Sequence, residues 1–103
     1  MIEFDWDIGN LSKLDLVAKS GRKYYPDEVE SVFYDEYKII GTATEDPISG
    51  EKRFYVIGQS NLNNILVVIF VARNGKVRIF NAWKAKGAKL KQYNNEKNEK
   101  LEG

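Results

Sequence analysis

The chain of 103 residues carries neither histidine nor cysteine. The usual proton shuttle near neutral pH and the usual sulfur nucleophile are therefore both missing. Chemistry must come from Arg, Lys, Asp, Glu or Tyr, and these residues fall into a pattern. Arg53 and Tyr55 stand two apart in "RFYVIGQS" (53–60), and Lys76, Arg78 and Phe80 stand two apart in "KVRIFNA" (76–82). Positions two apart on a strand share a face. With Val77 and Ile79 turned to a core, Arg53, Tyr55, Arg78 and Phe80 would join cations to aromatic surface. Arginine grips a phosphate through two parallel hydrogen bonds, and aromatic rings stack unpaired bases. That combination suits single-stranded RNA. The same residues also suit an ordinary exposed sheet face, with solvated guanidinium groups or an Arg53–Glu51 pair.

A second cationic group follows. Lys84, Lys86, Lys89 and Lys91 crowd the stretch "WKAKGAKLKQY" (83–93). If that stretch is helical, Trp83, Gly87 and Leu90 line a narrow docking seam and the lysines spread toward solvent. They would guide a phosphate backbone, or simply solvate a helix whose late lysines suit its dipole. Lys84 joins Arg53 and Arg78 as a candidate for stabilising charge on a reacting phosphate. Glu51 and Tyr93 are the candidates for proton transfer. A turn carboxylate and a tyrosine at a helix end are equally at home as a solvated group and a packing residue. No spacing of acids resembles a cation-binding loop, so neither metal nor cofactor is expected.

The charge is unevenly divided. Residues 1–51 hold twelve acids against five cations, and residues 52–103 hold eleven cations against three acids, within a net charge of +1. A polyanionic or acidic partner for the second half is one reading, and mutual attraction of the two halves is the other. The longest apolar run, "ILVVIFVA" (65–72), falls far short of the ~20 residues a membrane-spanning helix needs. The opening "MIEFDWD" lacks a signal peptide's basic start, and a cytoplasmic protein is expected.

These side chains need elements to hold them. "IEFDW" (2–6) alternates like a short strand. "DIGNLSKLDLVAK" (7–19) has helical spacing at Leu11, Leu14 and Val17 or Ala18, with Asp7 or Asn10 as its cap. A break at Ser20–Gly21 leads to "PDEVESVFYD" (26–35), a second helix opened by Pro26. Strands follow at 37–44, 53–60, 65–73 and 76–82, with Asn74–Gly75 as the hairpin turn. A last helix is expected from Lys84 to about Tyr93. The order is β-α-α-β-β-β-β-α: an α+β fold with a small antiparallel sheet, the N-terminal helices packed on one face. Residues 1–93 form one domain, and 94–103 form a polar tail expected to fray.

Several stretches resemble the BrnT family of bacterial toxins. "FDWD" (4–7) resembles the family's opening and "NLSK" (10–13) its first-helix motif. "PDEVESVFYD" (26–35) and "EKRFYVIGQS" (51–60) resemble its second helix and following strand. "ILVVIFVARNGKVRIFNAWKA" (65–85) resembles its hairpin. The resemblance implies a fold like that of RelE-type ribonucleases and a metal-independent endoribonuclease that blocks translation. It also implies a cognate DNA-binding antitoxin as partner, with operator DNA met only through that complex. In that setting Arg53, Arg78 and Lys84 would hold the phosphate, with Glu51 or Tyr93 moving protons. Tyr55, Phe80, Lys76, Lys86, Lys89 and Lys91 would bind RNA. The sequence departs from the family where "LDLVAKSGRKYY" (14–25) replaces a Lys-His-Gly segment, where Trp83 replaces an arginine and where Lys89 replaces a glutamate. A catalytically inert binding module of the same fold is the alternative.

Overall fold

The computed structural model describes residues 1–19, 24–45 and 47–102, and only the backbone of 15–19. The break expected at Ser20–Gly21 and the side chains of Val17 and Ala18 lie outside the described residues. The elements in chain order are β1 (Phe4–Asp5), α1 (Ile8–Lys19), α2 (Pro26–Ser31), a 3₁₀ turn (Val32–Tyr34), β2 (Ile39–Thr42), β3 (Phe54–Gln59), β4 (Ile65–Arg73), β5 (Lys76–Lys84) and α3 (Gly87–Glu102). The molecule is an α+β fold with a five-stranded sheet in the order β1-β5-β4-β3-β2.

The strands β2 to β5 form an antiparallel meander. Its tightest turn is Asn74–Gly75, where both residues take positive φ (52° and 75°), as a two-residue hairpin requires. The expectation of a purely antiparallel sheet fails at one edge. β1 pairs with β5 in parallel, Phe4 with Val77 and Asp5 with Arg78, so the sheet is mixed. The chain enters beside its own last strand after α1, α2 and three strands have intervened, and a parallel pairing needs such a long connection.

Both faces of the sheet are covered. Leu66, Val68 and Phe70 of β4 pack on the first face with Val56 and Ile79, under Val29, Val32 and Phe33 of the α2 region and Leu14 of α1. Ile2, Phe4 and Trp6 join this cluster, as their alternation foretold. Val67 and Ile57 point to the second face and meet Leu90 and Tyr93 of α3. A strand buried on both faces reads as a continuous apolar run, which explains "ILVVIFVA". Among the described residues no helix is long and apolar enough to cross a membrane.

The C-terminal region departs from expectation. β5 continues through Trp83 and Lys84, so neither belongs to a helix, and Trp83 is no part of the α3 seam. The sheet extends because Leu66 still has a partner in Lys84, and Ala85 N–H donates to the Ile65 carbonyl. α3 then runs through the stretch expected to fray, to Glu102. Lys97 gives that extension a tertiary anchor: its ammonium lies 5.2 Å from the Tyr37 ring centre and 5.9 Å from that of Tyr93.

A buried carboxylate fastens α2 to the β3–β4 turn. Glu28 is 4% exposed and accepts hydrogen bonds from Ser60 Oγ and Asn64 Nδ2, both at 2.7 Å. Glu28→Ala strands both donors in the interior. Chemical denaturation should show it less stable than wild type by about 1–3 kcal/mol, the cost of leaving buried polar groups unmade.

Candidate functional site

Among the described residues, three cations lie over the Phe80 ring. The register pairs Ile69 with Asn81 and Phe70 with Ile79, leaving Phe80 as the extra residue of a bulge. Bulges re-aim side chains, and this one sets the Phe80 ring among charges from three other elements. Arg53, just before β3, places its guanidinium carbon 4.7 Å from the ring centre. Arg73, at the end of β4, lies 5.9 Å away, and Lys13 of α1 brings its ammonium to 5.3 Å. All three are within the range of attraction between a cation and the negative face of an aromatic ring. Arg78 stands two residues before Phe80 on the same strand, β5.

Carboxylates balance most of this charge. Glu51 holds Arg73 in a two-point contact, Nε to Oε2 at 2.7 Å and Nη2 to Oε1 at 2.6 Å. Arg78 makes a matching contact with Asp7, Nη2 to Oδ1 and Nη1 to Oδ2, both at 2.9 Å, with Asp5 Oδ2 at 3.5 Å. The hydrogen bond from Arg78, helped by that of the Asn10 N–H, holds the Asp7 carboxyl below its ordinary value. In return the bond to Asp7 raises Arg78, against the opposing effect of burial. Asp7 also caps α1. Asn10 N–H donates to Asp7 Oδ1 at 3.2 Å, and Asp7 N–H donates to Asn10 Oδ1 at 2.7 Å, a reciprocal box at the helix start. Asp7 and Asn10 thus share the capping role that the sequence left open between them. One carboxylate starts the helix and ties it to β5.

The site residues expected from the sequence separate into groups. Arg53, Arg78 and Phe80 come together on the second face, with Glu51 beside them. Tyr55 is on the same face but toward α3, where Lys89 sits 3.6 Å above its ring centre. Its other neighbour is Gly41, whose missing side chain makes room: a Cβ there would come within 2.4 Å of the ring. Phe80 and Tyr55 therefore each lie against cations. Lys84 is turned away from Arg53 and Arg78, since its partner Leu66 belongs to the first face. Lys76 is exposed, with its ammonium 4.0 Å from Glu3. Lys86 and Lys91 are exposed on the link to α3 and on α3 itself.

Tyr93 is far from this chemistry. It is fully buried, and its hydroxyl donates to Asp35 Oδ2 at 2.5 Å. Burial, followed by that bond, pushes the phenol well above its ordinary value. Asp35 also accepts the Gln59 N–H at 2.8 Å and the Tyr37 N–H at 3.0 Å. Burial acts to raise its carboxyl, but the bonds from Tyr93, Gln59 and Tyr37, with the charge of Lys97, outweigh it and lower the value overall.

Sequence reasoning missed Lys13 and Arg73. The signal for Arg73 was present: the Asn74–Gly75 turn fixes it opposite Lys76, on the face of Val71 and Ile69. Lys13 had no such signal, because its place depends on where α1 lies against the sheet. A shallow polar depression of ≈370 Å³ by Ser31, Asp35, Gln59 and Asn61 is a weaker candidate. Its polar groups are engaged with one another, as in Asn61 N–H to Ser31 Oγ at 2.9 Å. Among the described residues, no three His, Cys, Asp or Glu side chains are grouped to hold a metal ion.

The Asp35 geometry sets a pH dependence. A carboxyl lowered on folding adds stability that is fully present above the ordinary value of 3.8 and fades as pH falls through the lower folded value. Asp35→Asn should lose about 1–2 kcal/mol at pH 7, the lower part of the range for charged hydrogen bonds because the group is only partly buried. In urea titrations the gap between variant and wild type should narrow below pH 4. A constant gap down to pH 2 would contradict this account.

No protein-family model matches the sequence, and a search of curated proteins finds no match.

Proposed function

We propose that the protein binds single-stranded RNA at the Phe80 cluster and cleaves it as a toxin of the BrnT type, inhibiting translation. One observation carries the reading: Arg53 and Arg73 lie over Phe80, with Glu51 on Arg73 and with Arg78 two residues before Phe80 on β5. Cleavage of this kind proceeds by attack of the ribose 2′-oxygen on the adjacent phosphorus. The 2′-hydroxyl proton passes to Glu51, the bond from phosphorus to the 5′-oxygen breaks, and the departing oxygen takes a proton from water. Arginines beside the phosphate stabilise the charge that builds there, as preorganised donors do. A cognate DNA-binding antitoxin is the partner this reading entails, with operator DNA reached through it. A RelE-like relationship of the fold belongs to the same proposal.

A second reading is a binding module without chemistry. Its support is that Arg73 and Arg78 already face carboxylates at 2.6–2.9 Å, while Tyr93 is buried and Lys84 faces the other way.

The two readings part on one assay. Purified protein is incubated with a labelled single-stranded RNA in the presence of a chelator, beside the matching oligodeoxynucleotide. The expected result is cleaved RNA ending in a cyclic phosphate and intact DNA. Arg53→Ala should slow cleavage by about 100-fold, the loss typical of one charge-stabilising donor, with an unchanged circular dichroism spectrum. RNA that is retained in a gel shift but never cut would defeat the ribonuclease and leave the binding module.

A further inference from the structure

We infer that Lys13 is a phosphate-contacting residue of this site, delivered to it by α1. The inference rests on the RNA-binding part of the function proposed above. Among the described residues Lys13, Arg53 and Arg73 lie over Phe80, Arg78 stands two residues away on β5, and their commitments differ. Arg73 and Arg78 are each held at two points by a carboxylate. Lys13 is exposed, and among the described residues its contact is the Phe80 ring, 5.3 Å from the ammonium, with no carboxylate within ion-pair distance. A phosphate approaching Lys13 has no ion pair to break. The ring orients the ammonium from one side, and its three N–H donors remain available to an anion on the other.

The placement of Lys13 follows from the frame. Asp7 is fixed on Arg78, and Lys13 lies six residues further along α1, a rise of about 9 Å. Phe80 lies two residues beyond Arg78 on β5, an advance of about 7 Å along the strand. The Asp7–Arg78 clamp and the Lys13–Phe80 contact are thus two rungs between the same helix and the same strand. The helix must run along β5 for both to form. The spacing of "DIGNLSK" (7–13) against "RIF" (78–80) sets Lys13 beside Arg53 at the ring. Lysine is a compact point charge on a flexible stem, suited to a phosphate oxygen whose exact position varies along a single strand.

The test uses the full chain and a fluorescein-labelled 2′-O-methyl oligouridine 12-mer. That probe lacks the 2′-hydroxyl, so binding is read without cleavage. Affinity is measured by anisotropy over a range of salt concentrations. Each phosphate contact on a single strand contributes about 0.7 to the slope of log affinity against log salt. Lys13→Gln should lower the slope by about that amount and weaken binding several-fold at low salt. Lys13→Arg should restore it, while Lys100→Gln, at the exposed end of α3, should match wild type. Thermal melts confirm that each variant is folded. A Lys13→Gln slope equal to that of wild type would overturn the inference. So would an equal drop in Lys100→Gln, or wild-type protein with no salt-dependent binding at all. RNA left uncut in the separate cleavage assay, with the Lys13 slope change still present, would remove the ribonuclease and keep Lys13.

Discussion

The Asp35 carboxylate joins three parts of the chain that are remote in sequence. It closes the turn after the 3₁₀ segment through the Tyr37 N–H, caps the end of β3 through the Gln59 N–H, and receives the Tyr93 hydroxyl from α3. A partly buried carboxylate with three donors is well satisfied, which is the condition for placing such a group away from water. Its consequence is positional. With Tyr93 pinned at Asp35, α3 must cross the second face of the sheet over Ile57 and Val67. Arg53, Arg73 and Phe80 lie toward the other end of the same face. The interaction that seals one half of the face thereby defines the half on which the cations gather.

Opposite electrostatic strategies meet on the two sides of the sheet. On the first face, polar anchoring is internal: Glu28 is buried and spends itself on Ser60 and Asn64. On the second, the charges sit at the rim of the apolar cluster. Arg78 is 14% exposed while its partner Asp7 is 56% exposed, so the pair is wet on one side only. Surface pairs of this kind stabilise little by themselves, but a two-point contact to a helix cap fixes direction. The N-terminal acids and the C-terminal cations, set apart in the sequence, are brought together by the parallel pairing of β1 with β5. The mutual attraction of the two halves is seen in Asp5 and Asp7 meeting Arg78.

Much of the fold was legible because it is written in short-range patterns. The alternation of "KVRIFNA" and the positive-φ pair Asn74–Gly75 assign strand, turn and face with no knowledge of the rest. That is why Arg53, Arg78 and Phe80 could be placed on one face from spacing alone. The features that escaped depend on distant partners. The helical course of residues 94–102 draws on Lys97 meeting Tyr37, which no local propensity reports. The burial of Tyr93 depends on Asp35, 58 residues earlier. The strand ends at Lys84 because Leu66 is there to pair with it. A bulge opposite Ile69 and Phe70 leaves no mark in the composition of either strand. The parallel edge required knowing that residues 4–5 return to residues 77–78.

That parallel edge has a kinetic meaning. The four meander strands join neighbours in sequence, so their pairing needs only short loops to close. The β1–β5 pairing instead spans most of the chain, and Arg78 meets Asp7 at a separation of 71 residues. Closing a loop of that size carries an entropy cost that local hairpins avoid, and such contacts form after the local ones have reduced the search. β1 contributes only two residues to the sheet, so little ladder energy holds it once closed. β1 is accordingly the strand whose pairing carries a large closure cost for a short ladder. The pairing that closes this long loop also brings Asp5, Asp7 and Lys13 to β5.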